Sequence, residues 1–496
     1  MVKSLRIAIE GCCHGKLDNI YKALNYMNPK DNKNVDLLII CGDFQAIRNF
    51  TDLKCMCCPE KYKEIGDFHK YYNGEKVAPV PTVFIGGNHE AQNHNRELYL
   101  GGWVAPNIYY LGMSNIIKFR GLRIGGISGI ENDLNKHRGY YEKPPFMPID
   151  RFKSMYHTRI FETIKLLKNK SKLDIFVSHD WPRNVPKLGN TQELLRIKPW
   201  FKSDINNNKL GSAQLEELIN NLKPKYWFSA HMHVRFETKI NWTEIEAQKK
   251  DNSTKTIQQE INNDEINIDF SDDSDTETDK VIGNVDEIVN LDDSKEINKT
   301  IPDTKVELGH TSETSAEYGN HPTKKAKVEH EEPLETNKTE PQGERITNFL
   351  SLDKCLPKRK FLEIIDINVD SENIESIGEN NNSPKSLFQY DPEWIAILRT
   401  LQPLIPTERS VPPETITKWI NLGDMSEEIE NEKKKVLSSI TDWNIPENFV
   451  LTAPGAKPGT PTNSRPRNNT NEQFYYNNPQ TKQFCEKFGI VDLFSY

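Results

Sequence analysis

Five short stretches of a 496-residue chain gather side chains of the kinds that hold metal ions and move protons. They are Cys12-Cys13-His14-Gly15, Gly42-Asp43, Gly86-Gly87-Asn88-His89-Glu90, Ser178-His179-Asp180 and Ala230-His231-Met232-His233. Imidazole, carboxylate, carboxamide and thiol groups are donors to divalent ions, and a bound divalent ion makes a nucleophile of water near neutral pH. Singly each stretch is weak: Gly-Asp and Ser-His-Asp arise by chance, and a lone histidine is more often a hydrogen-bonded core residue. Together, each at the end of a strand-like run, they point to one shared site. Cys12 is the odd member, because a thiolate favours Zn²⁺ or Fe²⁺ over Mg²⁺, while a thiol that does not ligate leaves its metal weakly held.

The elements that must position these residues are legible as runs. "LRIAI", "VDLLIICGD", "PTVFIGGN", "LRIGGISG", "LDIFVSHD" and "KYWFSAH" are short, rich in Ile, Val, Leu and Phe, and end in Gly, Asp, Asn or His. That pattern predicts strands buried on both faces with reactive residues at their C-terminal ends. Helical stretches such as "MYHTRIFETIKLLKNK" and "SAQLEELINNL" lie between them, so residues 1–240 are expected to form an α/β (α+β) layered domain. Residues 241–344 read differently. Between 261 and 300 there are 13 acidic residues, 3 lysines and a single aromatic, Phe270, too little apolar surface to offset the entropy of ordering. This stretch is expected to be a disordered acidic insertion. Within it, "PTKKAKVEH" (322–330) has the form of a nuclear localisation signal, the other reading being solvated lysines in a charged linker.

Residues 345–496 are expected to form a smaller, mostly helical C-terminal domain. It opens on "ITNFLSLDKCLPKRKFLEIIDI", two apolar runs around a Pro and basic turn. Helices at "DPEWIAILRTLQ" and "EEIENEKKKVLSSI", a loop-like tail and a short docking helix in "NPQTKQFCEKFGIVDLF" follow.

Apolar residues make up 36% and charged residues 27%, and no run approaches the ~18 uncharged apolar residues of a membrane helix. "MVKSLRIAIEG" runs straight into a strand and is not expected to be a signal peptide. The eight cysteines show no secreted-scaffold spacing and are expected to be reduced, in an intracellular setting. The net charge of −8 is split: residues 1–240 carry 36 Lys+Arg against 24 Asp+Glu (+12), and the rest 28 against 48 (−20). A basic block beside an acidic one suits an anionic partner such as a nucleic acid, although acidic disorder that merely solubilises the chain explains the split equally well.

In their order, the five motifs resemble the calcineurin-like metallophosphoesterases, whose pattern is D-x-H, G-D, G-N-H-E/D, H and G-H-x-H, and whose fold is a β-sandwich flanked by helices. The resemblance implies a two-metal site for phosphodiester hydrolysis, the ions about 3.5–4 Å apart with a hydroxide between them. One carboxylate must bridge the cations, and Asp43 fits. Cys12, His14, Asn88, His179, His231 and His233 fill the other ligand positions. His231-x-His233 would send both rings to one face if extended. In that family the position of His89 contacts the phosphate or protonates the leaving oxygen, a role suited to a histidine, with Glu90 as a candidate to orient it.

Cysteine in place of the first aspartate narrows the match. "EGCCHGKLD", "SHDWPRNVPKLGN", "LKPKYWFSAHMHVRF", "NFLSLDKCLPKRKFLEI", "YDPEWIAILRT" and "NPQTKQFC" are similar to segments of the RNA lariat debranching enzymes, over roughly 1–240 and 345–491. That resemblance implies hydrolysis of the 2′–5′ phosphodiester at the branch of excised introns, in the nucleus, by attack of a metal-bound hydroxide. The expected metals are Fe²⁺ and Zn²⁺, with Mn²⁺ as the alternative. It also implies a branch-recognition loop, here 129–152. In that loop Lys136, His137, Arg138 and Lys143 accompany Tyr140 and Tyr141, cations for phosphates and rings for unstacked bases; the other reading has the tyrosines anchoring the loop. "CMCCP" resembles half a zinc site, but without a second pair nearby Cys55, Cys57 and Cys58 are expected to be surface thiols. Two rival functions stay open: another nuclease or phosphatase on the same site, and a branched-RNA reader without activity.

Overall fold

A computed structural model describes residues 3–27, 34–144, 146, 149–248, 345–369, 387–465 and 473–496. The acidic stretch from 249 and the lysine cluster at 322–330 lie outside the described residues.

The apolar runs do form strands. Among the described residues these are β1 (Lys3–Glu10), β2 (Leu37–Ile40), β3 (Thr82–Phe84), β4 (Gly102–Ala105), β5 (Ile108–Tyr110), β6 (Ser114–Phe119), β7 (Leu122–Ile127), β8 (Ile175–Ser178), β9 (Tyr226–Ser229), β10 (Phe236–Asn241), β11 (Ile346–Ser351), β12 (Leu362–Val369) and β13 (Phe388–Tyr390). They build two mixed sheets, ordered β12-β1-β2-β3-β5-β4 and β10-β11-β9-β8-β7-β6-β13. In both, parallel strands occupy the middle, β1-β2-β3-β5 and β7-β8-β9-β11. β2, β3 and β8, buried at every residue, are among the short apolar runs of the sequence.

The pleat of β1 shows how the layers close. Leu5, Ile7 and Ile9 join a core shared with Ile124, Ile175, Phe176 and Trp227 of the second sheet. Ala8 points the other way, into a second cluster with Leu38, Ile40, Phe84 and the helix Leu17–Met27, through its Leu17, Ile20 and Leu24. Each fully buried aliphatic side chain contributes about 1.5–3 kcal/mol. The helices Ile160–Leu167 and Pro392–Leu401 pack on β6, and Ala213–Leu222 packs on the first of them.

Residues after the insertion complete both sheets. β11 runs antiparallel to β10 and parallel to β9, so the chain leaves on one strand and returns on its neighbour. β12 pairs with the whole length of β1, Lys3 opposite Val369 and Glu10 opposite Leu362. Just past β1, Gly11 lets the chain that follows β11 come close, because a Cβ there would lie 2.2 Å from the Asp353 carbonyl oxygen. Farther on, Arg123 forks onto Asp391 (Nε and Nη2, both 2.8 Å), and Asp391 in turn caps the following helix by accepting from the Trp394 N–H at 3.0 Å. The loop-like tail is docked: Ile65 and Gly66 N–H groups donate to the carbonyls of Ser464 and Thr462. Among the described residues, no helix is long and apolar enough to cross a membrane.

Candidate metal centre

Each candidate ligand lies just beyond a strand: Cys12 and His14 after β1, Asp43 after β2, Asn88 and His89 after β3, His179 after β8, His231 and His233 after β9. The strands of each set are neighbours in their sheet, so the motifs converge on one edge of the sandwich. His14, Asp43, His231 and His233 all have positive φ (46°, 48°, 59° and 48°). Non-glycine residues hold that conformation at a cost, and such strain concentrates at functional sites. The segment 231–234 is therefore a series of bends rather than the extended stretch anticipated. The two histidines part company: His233 turns to His14 and His231 to His179, their ring pairs 5.3 and 5.0 Å apart.

Cys12, His14, Asp43 and His233 offer ligand atoms that all lie within 4.8 Å of one another. His14 Nε2 is 3.2 Å from His233 Nε2 and 3.7 Å from Asp43 Oδ2. The other carboxylate oxygen, Oδ1, lies 3.4 Å from His179 Nε2. Asp43 thus presents one oxygen to each half of the site. Asn88 Oδ1 and His179 Nε2 are buried without a hydrogen-bond partner, as atoms that a metal ion satisfies would be; His89 Nδ1 is buried without one as well. His179 Nδ1 lies 2.7 Å from the Cys41 carbonyl; donating there leaves the Nε2 lone pair free, the usual outer support of a metal-bound imidazole. This set of sulfur, nitrogen and oxygen donors fits divalent transition metals.

The electrostatics agree. Burial pushes the His14 imidazole down to about 3, Asp43 opposing, and holds His231 well below its usual value with help from His179; both are neutral, the form in which an imidazole can ligate a metal. Burial works against charge on Asp43 and His179 alike, but His179, His89 and His14 together hold the Asp43 carboxyl well below its usual value, and Asp43, the Cys41 carbonyl and Glu90 together raise the His179 imidazole. Cys12 is driven well above the thiol range by burial, then by Asp43 and Glu10, against the His231 N–H that donates to its sulfur at 3.2 Å.

Cys12 must therefore lose a proton to bind a metal. At pH 7, Zn²⁺ uptake is expected to release about one proton per chain more in the wild type than in Cys12→Ser. Calorimetry in buffers of different ionisation enthalpy reads that number. Equal release by both proteins would mean that the sulfur is not a ligand.

His89 is held beside this centre by its backbone, the N–H donating to Asp43 Oδ1 at 2.8 Å, with its ring 5.7 Å from that of His14. Glu90 does not orient it. Its buried carboxyl accepts from the N–H groups of Phe44 (2.8 Å), Gly87 (2.9 Å) and Gln45 (2.7 Å), bracing the Asp43 loop against the Asn88 loop. Burial, then Asp43, raises it to about 8.

The loop beginning at 129 is fastened by the C-terminal segment, Gly139 and Tyr140 N–H groups donating to the carbonyls of Glu408 and Pro406. Tyr140 is not a stacking platform here. It is 5% exposed, its hydroxyl donates to Glu162, and its ring meets Phe494 edge-on; the ring's apolar area closes the core. Tyr141 is half-buried, with the Arg409 guanidinium 5.5 Å over its ring. Lys136 is paired with Glu131 and Asp133, so it meets phosphate only by exchanging partners. His137 and Arg138 are half-buried and Lys143 is exposed. Cys55 is not a surface thiol: it is buried against Phe146, Phe152 and Met155, with Cys57 half-buried beside them. Cys58 is half-buried as well.

Two features escaped the motif reading. Ser128 Oγ accepts from the Gly86 N–H (2.9 Å) and donates to the Gly112 carbonyl (2.6 Å), fixing the Asn88 loop from the second sheet; "GISG" was visible only as another strand end. Glu142 sits fully buried between Arg96 and Arg159, residues too far apart in the chain for spacing to signal their meeting.

Two mixed sheets carrying this constellation at their strand ends define a calcineurin-like phosphoesterase, and residues 5–235 match that family. Residues 344–493 match the C-terminal domain of lariat debranching enzymes. The chain is 36% identical over 491 residues to the lariat debranching enzyme of Homo sapiens, covering 99% of this chain and 70% of that one. With that of Gallus gallus it shares 37% over 495 residues (99% and 71%), and with that of Schizosaccharomyces pombe 36% over 492 (98% and 96%). The chain belongs to the lariat debranching enzyme family.

Proposed function

We propose that the protein hydrolyses the 2′–5′ phosphodiester at the branch of lariat RNA. The observation that carries this is the pair of donor sets joined by Asp43, Cys12-His14-His233 on one side and His179-His231 on the other, with the buried, unpartnered Asn88 Oδ1 in the adjoining loop. Divalent metals held there would supply an activated water and neutralise the phosphoryl oxygens. Fe²⁺ and Zn²⁺, or Mn²⁺, suit a set containing a thiol; Mg²⁺ suits it least. His89, beside the centre, would give a proton to the departing 2′ oxygen, while Glu90 and Ser128 keep its loop in place. Lys136, His137, Arg138 and Tyr141 would meet the RNA strands on either side of the branch. Nuclear residence rests on the lysines of 322–330 and on the substrate class.

The test is turnover of a short branched RNA with Fe²⁺, Zn²⁺ or Mn²⁺ supplied to the purified chain. His89→Ala is expected to lower kcat by about 10²–10⁴-fold with KM little changed. A loss under about tenfold would remove the acid role. Tight binding of the branched RNA without cleavage by any metal form would make the protein a reader instead.

A further inference from the structure

Beside Gly86 and Gly87, in the loop that carries Asn88 and His89, a cleft runs in past Ser128-Gly129 and the segment 155–159. Its enclosed part has a volume of about 40 Å³, room for roughly three waters, and its mouth is open to solvent. Its walls hold unspent hydrogen-bonding capacity. Arg96 Nη1, Arg159 Nε, Gln92 Nε2 and Asn95 Oδ1 are buried and meet no protein partner, on side chains only 2–7% exposed. Buried polar atoms persist in a fold when something else satisfies them.

Charge decides what that something is. The two guanidiniums already share Glu142, Arg96 at 3.2 Å and Arg159 at 2.5 Å. Glu162, also on the wall, accepts from Lys165 and from the hydroxyls of Tyr140 and Ser114. An anion entering would face the Glu162 carboxylate, and the two guanidiniums it could reach are already partly neutralised by Glu142 behind them. A neutral, flat ligand with more acceptors than donors would meet three free donors and one free acceptor, with Tyr110, Tyr156 and Met155 as apolar walls.

We infer that this cleft takes one nucleobase of the branched RNA and reads its edge, seating the nucleotide against the Asn88-His89 loop. The inference rests on the debranching reading above. Gln92, Asn95, Arg96 and Arg159 become specificity-determining residues, and Phe494, 4.3 Å beneath the Arg96 guanidinium, supports one of them from the C-terminal segment.

The test uses metal-loaded full-length protein and three branched RNAs, each lacking the base at one position: the branch nucleotide, its 2′-linked neighbour or its 3′-linked neighbour. One of them is expected to lose about 10- to 100-fold in kcat/KM, the measure of one lost base contact. Gln92→Met and Asn95→Leu, which leave the Arg96-Glu142-Arg159 cluster untouched, are expected to lose a similar factor on intact RNA and little more on that abasic one. Wild-type rates that are equal on all three abasic RNAs and on intact RNA would overturn the cleft's role while debranching stands, and this arm needs no variant to fold. Fully additive losses would overturn it too, placing the two residues in support of the loop. Failure to cleave even intact branched RNA would overturn debranching, and the cleft's role with it.

Discussion

Gly42→Ala is expected to lower debranching by at least about 10²-fold while the chain still folds. A methyl group on Gly42 would lie 2.2 Å from His179 Nδ1 and 2.8 Å from its Cγ. The imidazole would be forced off the Cys41 carbonyl that fixes its orientation, and Nε2 would leave its place opposite Asp43 Oδ1. The φ of 111° adds strain, typically about 1–3 kcal/mol for a non-glycine residue held in a sparsely populated region. Gly74→Ala separates the two effects: it also has positive φ (75°), but a methyl there meets nothing within 4 Å. That variant is expected to lose stability alone, seen in urea unfolding, with kcat/KM unchanged. Wild-type turnover in Gly42→Ala would mean that the position of His179 does not matter to the reaction.

Arg48→Met is expected to be the most destabilising substitution, at about 3–5 kcal/mol. Arg48 is fully buried and holds two carboxylates: Asp52 through Nε (2.8 Å) and Nη2 (3.0 Å), and Glu97 through Nη1 and Nη2 (both 2.8 Å). Its Nη1 also donates to Thr452 Oγ1 at 3.0 Å, and the Tyr476 ring lies 5.6 Å from the guanidinium, so the cluster ties the helix Gln92–Glu97 to the C-terminal tail. Methionine would fill the space and leave both carboxyls without a cation. pH then distinguishes lost charge from lost packing. Burial already raises Glu97 to about 7 against Arg48, so the fold favours its protonated form, and that contribution is lost as pH rises from 4.5 towards 7. Without Arg48, Glu97 is raised further and Asp52 loses the cation that holds it below its usual value, so the deficit is expected to deepen from pH 5 to pH 8 in denaturant melts. A deficit constant with pH would assign the loss to packing.

Why these residues were invisible to a reading of the chain, when the ligands were not, is a matter of range. The strand runs ending in Cys12, Asp43, Asn88, His179 and His231 were legible because parallel strands buried on both faces are locally apolar and their ends carry the chemistry. The pairing of β1 with β12, which sets Ile9 opposite Glu363, leaves no local trace, so the extent to which residues after 345 complete both sheets could not be read. Residue type says that a group must be held, not by what. The carboxylate of Glu90 ended on three backbone N–H groups rather than on His89, and the aromatic surface of Tyr140 ended in the core rather than on RNA. The positive φ at four metal-ligand candidates has no sequence signal either, since histidine and aspartate do not advertise it as glycine does.

Which bond the protein cuts defines its function. A short RNA with one 2′–5′ branch in an ordinary 3′–5′ chain, incubated with metal-loaded protein and weighed by mass spectrometry, answers this in one experiment. The expected products are the linear strand with a free 2′ hydroxyl at the former branch and the released arm bearing a 5′ phosphate, with every 3′–5′ linkage intact. Fragments from the 3′–5′ chain at comparable rates would contradict debranching, leaving a general phosphodiesterase on the same metal centre.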